Sequence, residues 1–114
     1  MEKRIRELFP EIEWIKDKGM QDKVVASYVD ALKTGGWEPD DMDKIPFTLL
    51  IPNCPFSYLD HVKGVTRIAK KSMDEFNAIY PVKDPKFMMD NDLLVAGALL
   101  HDEKVVVHHE FGIL

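Results

Sequence analysis

The sequence predicts an all-α fold, a bundle of helices with one short strand near the C-terminal end. Two observations predict the helices. Apolar residues recur every three or four positions along three separate stretches, which is the period of one helical face. Proline, glycine or a capping residue stands at the ends of those stretches, where helices start and stop. A third observation predicts the strand: Lys104 to His109 carries three consecutive valines, and β-branched side chains favour extended chain.

Ile5, Leu8, Ile12 and Ile15 mark the first apolar face, and Pro10 interrupts it. Proline fits a first helical turn and not an interior, so two short helices are expected, the second opening at Pro10. Glu11 and Glu13 in its first turn and Lys16 and Lys18 in its last suit the helix dipole. Gly19 is then placed to end it in a left-handed cap. Met20, Val24, Tyr28 and Leu32, with Val25 and Val29 beside them, make the next helix, which Gly35-Gly36 ends. Pro39, Pro46, Pro52 and Pro55 forbid a long helix after it. That segment is either a loop or a short helical turn followed by extended chain. Ser57 to Asp60 has the spacing of a capping box, with aspartate in the usual glutamate position. Leu59, Val62, Val65, Ile68, Ala69, Met73 and Phe76 then trace one face of a long helix. Pro81 and Pro85 bound a linker. Asp90 or Asn91 caps a final helix from Leu93 to about Asp102, in which Gly97 and Ala98 permit close packing.

A chain of 114 residues is expected to form one domain. Residues 1–56 supply its N-terminal helices and proline-rich connection, and residues 57–104 its later helices. The net charge of −5 argues against a general nucleic-acid or anionic-membrane binder. The single cysteine, Cys54, excludes an intrachain disulfide and fits a reducing compartment. Between two prolines it is more simply a small buried residue than a nucleophile. The opening MEKRIREL lacks an apolar signal core, and the longest apolar run, Leu93 to Leu100, is far short of a membrane span. The expected location is the cytoplasm.

Three residues stand out chemically: His61 early in the long helix, and the pair His101-Asp102 at the end of the last one. Neutral imidazole and carboxylate together suit iron, manganese, zinc or magnesium. Neighbours inside a helix point about 100° apart, but a pair at a helix end can converge where the chain turns. Each residue also has a structural reading. His61 could pack on Phe56 as a variant of the hydrophobic staple. His101 lies on the core side of its helix and could be a satisfied core histidine. Asp102 could start a turn. His108 and His109, if in a strand, point to opposite faces and are more simply edge residues. Trp14 and Trp37 suit core or lid packing, and Glu38, Asp40, Asp41 and Asp43 a solvated acidic run.

The segment LDHVKGV from Leu59 to Val65, an apolar helix, a linker, and LLVAGALLHD from Leu93 to Asp102 together resemble the HD superfamily of metal-dependent phosphohydrolases. The resemblance covers residues 57 to 104. It implies an HD-like helical bundle in which His61, His101 and Asp102 ligate one or two divalent ions, with Asp102 bridging where there are two. The implied reaction is hydrolysis of a phosphomonoester or phosphodiester, often a nucleotide, with water activated by the metal. Asp102 and Lys104 are the implied catalytic residues.

The chain departs from the family in two places. The family lysine comes three residues after the aspartate of the pair, whereas Lys104 comes two after Asp102, where a solvated lysine beside Glu103 is an equal reading. The family's last aspartate, on a later helix, has no counterpart after Asp102, so the chain reads as truncated. Glu103, His108, His109 and Glu110 are the other possible ligands there. The competing expectation is therefore an inactive HD-like remnant that dimerises or binds a nucleotide. A core left open on one side would expose apolar surface and favour a homodimer or higher oligomer.

Overall fold

A computed structural model of the chain describes residues 1–48 and 50–107, the side chain of Val107 excepted. The described residues are helical, in the order α1 (Glu2–Leu8), a 3₁₀ turn (Pro10–Trp14), α2 (Lys18–Gly35), a second 3₁₀ turn (Pro39–Asp43), α3 (Tyr58–Lys83), a third (Pro85–Phe87), α4 (Asn91–Leu100) and the single turn α5 (Lys104–Val107). They contain no strand. One isolated antiparallel bridge joins Pro46 to Ser57. No described helix is long and apolar enough to cross a membrane.

The helical periodicities are realised as burial. Val24, Val25, Tyr28 and Leu32 of α2 meet Leu59 and Val62 of α3 and Val95 and Leu99 of α4 in one core. Ile5, Phe9, Ile12 and Ile15 close it from the N-terminal side. Gly36 ends α2 in the left-handed conformation, φ 77°, and its amide bonds the Leu32 and Lys33 carbonyls. Asp90 caps α4 by accepting from the Leu93 amide.

Four expectations are corrected. Pro10 opens a 3₁₀ turn, and Gly19 lies in the first turn of α2, where Asp17 is the N-cap and accepts from the Gly19 amide. A polar cap at Asp17 satisfies an orphan donor and so overrides the glycine stop. The long helix runs through Pro81 to Lys83. The fixed φ of proline is helical, so only the bond to the Asn77 carbonyl is lost, close to an exposed helix end. Gly97 brings nothing close, since a Cβ there would find open space within 4 Å. Finally, the valines from Lys104 to Val107 form a helical turn and not a strand. His108 and His109, the rest of that expected strand, lie outside the described residues.

Close packing occurs instead at Gly35. A Cβ there would lie 1.9 Å from the Val106 carbonyl oxygen and 2.6 Å from the Trp37 ring. The missing side chain lets α5 settle on the end of α2 and buries Val106 completely, which decides the local conformation against valine's weak preference. Gly35→Ala should therefore destabilise the fold by about 1–3 kcal/mol, as overpacking does, in urea unfolding. An unchanged midpoint would mean that α5 does not pack there.

Asp92 fixes the first turn of α4 to the N-terminal region. Its carboxylate accepts from the backbone amides of Lys16 (2.9 Å) and Asp17 (3.0 Å). The Lys16 amide, above all, draws its pKa below the ordinary 3.8. A lowered carboxylate pKa stabilises the fold above the unfolded value, and that stability is lost as pH falls through the folded value. Asp92→Ala should lower the urea midpoint at neutral pH, and its gap from the parent should narrow as the pH falls through and below the ordinary carboxylate range. A gap that stays constant with pH would contradict this.

Candidate metal centre

The site is assembled where α3 begins and α4 ends. Ser57 caps α3 through a reciprocal box: its hydroxyl accepts from the Asp60 amide (3.1 Å), and the Asp60 carboxylate accepts from the Ser57 amide (3.0 Å). The Ser57 hydroxyl in turn donates to Asp43 (2.7 Å). This fixes the start of the helix and so the direction of His61 one residue later. The bridge at Pro46 and Ser57 closes the proline-rich loop and carries Phe47 onto the His61 ring, with centroids 4.8 Å apart and planes 21° from parallel.

At the other helix end, α4 stops at Leu100 and residues 101–103 turn, with the Glu103 amide bonding the Leu100 carbonyl. The turn brings Asp102 back beside His101. The His101 Nδ1 lies 2.6 Å from the Ala98 carbonyl, one of the carbonyls a helix end leaves without an intrahelical donor. An imidazole that donates from Nδ1 keeps Nε2 as a bare acceptor in its neutral form, the form a metal needs.

Beneath these residues a buried tyrosine pair holds the three helices together. The Tyr28 hydroxyl donates to the Leu99 carbonyl. Having used its one proton there, it accepts from Tyr58 at 3.3 Å. Burial pushes both hydroxyls well above the ordinary phenol range, so both remain protonated donors. One hydrogen-bonded chain thus ties α2, the first residue of α3 and the end of α4. The periodicity placed Tyr28 in the core, but the polar link was missed. The signal for it was a pair of tyrosines on buried helical faces, each needing a partner.

The three singled-out side chains meet. His61 Nε2 is 3.0 Å from Asp102 Oδ2, His101 Nε2 is 3.3 Å from the same oxygen, and the two Nε2 atoms are 3.3 Å apart. Among the described residues these three form a group that could hold a metal ion. The fit can be tested from the spacing alone. Donors about 2.1 Å from a common ion lie about 3.0 Å apart at an octahedral edge and about 3.4 Å apart at a tetrahedral one. The observed triangle falls in that range. The side chains remain 26%, 34% and 32% exposed for His61, His101 and Asp102. Among the described residues only these three donors converge, which would leave an ion here with open positions.

No family model, curated protein or solved structure matches the chain. The site therefore rests on its own geometry.

The remaining candidates are placed as follows. Lys104 is exposed at the start of α5, with no hydrogen bond or ion pair to the cluster among the described residues. Glu103 stays outside it; burial and the nearby Asp30 raise its pKa. His108, His109 and Glu110 lie outside the described residues. The acidic run is structural: Asp40 pairs with Arg4 (2.7 Å), Asp41 closes a capping box with Glu38, and Asp43 holds Ser57. Cys54 is half-buried, with its thiol 3.6 Å from the Phe56 carbonyl. Phe56 lies 59% exposed, so Phe47 and not Phe56 stacks on His61. Phe47 was not foreseen, because nothing in its local sequence reveals a contact made through a closed loop.

Proposed function

We propose that the chain is a metal-dependent phosphohydrolase of the HD type, acting on a small phosphoester. The observation that carries this reading is the convergence of His61 with His101-Asp102, 40 residues apart in sequence, into one triangle of donors. The same three positions carry the sequence resemblance.

In this reading His61 and His101 offer their Nε2 atoms and Asp102 its Oδ2 to a manganese, iron, zinc or magnesium ion. The ion supplies Lewis acidity, which polarises a phosphoryl oxygen and makes water nucleophilic near neutral pH. The protein residues keep the donors in place. Ala98 holds the His101 ring through Nδ1, Phe47 covers one face of His61, and the Tyr28-Tyr58 pair fixes the helix ends that carry them. Asp102 contacts both imidazoles and partly balances the cation's charge. Lys104, exposed two residues after Asp102, is the residue free to meet an equatorial phosphoryl oxygen.

The test is to load the purified chain with Mn²⁺, count bound metal after desalting, and assay p-nitrophenyl phosphate and bis-p-nitrophenyl phosphate. About one ion per chain and metal-dependent release of nitrophenol are expected. A folded chain that retains no metal would overturn the reading.

One observation favours a second reading, a non-catalytic module that self-associates. Ile79, Tyr80 and Val82 at the far end of α3 are 61%, 54% and 78% exposed, with Phe87 and Met88 beyond them at 56% and 58%. Large apolar side chains exposed in this number near one helix end favour association. A metal-free, folded dimer in sedimentation would support it.

A further inference from the structure

The metal cluster does not stand alone. A groove of 270 Å³ opens beside it, and His61 lines both. Its other lining residues are Phe47, Phe56, Asp60, Gly64, Val65 and Ile68. Phe47, Phe56 and Ile68 are 40%, 59% and 70% exposed, an arrangement water disfavours unless something covers it. The volume is slightly below that of pockets for drug-sized ligands. It suits one ring system and not a dinucleotide or a polymer.

The charges around the groove narrow the choice further. No lysine or arginine lines it. The nearest cationic residues of α3, Lys63 and Arg67, are turned onto the buried Glu11, with Lys63 Nζ 3.0 Å and Arg67 Nη1 3.4 Å from its carboxylate. Asp60 is the one anion in the lining, and it is engaged by the Ser57 amide. A polyphosphate would find no counter-charge here, and a sugar would find only the Asp60 carboxylate, one oxygen of which the Ser57 amide already engages, to bond its several hydroxyls. A flat uncharged ring finds two phenyl faces and two branched aliphatic side chains, all of which favour stacking and burial.

We propose that the substrate of this site is a phosphomonoester of a flat, weakly polar ring system, the phosphoryl group at His61-His101-Asp102 and the ring in the groove between Phe47, Phe56, Val65 and Ile68. This rests on the phosphohydrolase reading. It goes further by assigning the alcohol side of the ester, and by making the start of α3 and the proline-rich loop before it the elements that select it.

Gly64 provides the test. A Cβ there meets nothing within 4 Å, and glycine is a poor helix former, so Gly64→Leu should preserve the helix while filling the groove. With Mn²⁺ present, 1-naphthyl phosphate should bind the parent chain about tenfold more tightly than methyl phosphate, the gain expected from burying a ring. In Gly64→Leu and in Phe56→Ala the ratio should fall to about twofold or less. Equal affinities in the parent, or a ratio unchanged in both variants, would overturn the proposal while leaving the metal site standing. If neither ester binds, the phosphoester reading fails, and neutral 1-naphthol then reads the groove directly. Saturable 1-naphthol binding lost in Gly64→Leu supports a ring site, and no binding overturns it.

Discussion

Replacing His101 with alanine should remove tightly held metal and, with it, all metal-dependent hydrolysis. His101 contributes one of three donor atoms, and its ring is already oriented by the Ala98 carbonyl. Disturbing such an outer partner alone typically lowers metal affinity 10–100-fold, so losing the ligand should lower it by at least about 100-fold. The side chain is a third exposed, so the truncation opens no large cavity and should change stability by less than about 1 kcal/mol. The measurement is a Mn²⁺ titration of the parent, His101→Ala and Asp102→Ala, with circular dichroism to show that each is folded. Retention of parent-like affinity in both variants would separate the cluster from metal binding altogether.

Glu11→Ala should destabilise the fold strongly, although it removes a charged side chain and not an apolar one. Glu11 is fully buried, and its two carboxylate oxygens lie 3.0 and 3.1 Å from Lys63 Nζ. Lys63 also donates to the Leu8 carbonyl at 3.0 Å, so the pair anchors α1 and the first 3₁₀ turn to α3. Removing one partner of a buried pair typically costs about 3–5 kcal/mol, because the other charge is left uncompensated. Lys63 keeps 28% of its side-chain surface in contact with water, which places the expected loss near 3 kcal/mol and the fall in Tm near 10 °C. Lys63→Ala should destabilise by less, because Arg67 Nη1 still lies 3.4 Å from the Glu11 carboxylate, and the double variant by less than the sum, since Glu11→Ala alone strands the Lys63 charge. Additive effects in that cycle would show that the two residues do not act as a pair.

Much of the architecture was legible because it is local. The faces of α2 and α3, the box at Ser57 and Asp60, and the glycine stop at Gly36 depend on neighbours within a few residues. Spacing and capping chemistry therefore reveal them. The failures share a cause. Gly19 could end one helix or begin the next, and the choice lay with the Asp17 cap. The valines of α5 prefer a strand in isolation, but Val106 is buried against a gap in α2 that no local pattern announces. Glu11, which suited a helix dipole at an exposed N-terminus, serves instead as the buried anion beneath Lys63.

The same division runs through the site. His61 and His101-Asp102 were distinguishable from the residue types and from the resemblance they carry, because ligand chemistry belongs to the side chain. What needed tertiary structure was their convergence to within 3.3 Å, the stacking of Phe47 on His61 and the apolar groove beside them. Residue identity sets which bonds a side chain can form. Only the crossing of α3 and α4, held by a tyrosine pair 30 residues apart, decides which of those bonds have a partner within reach.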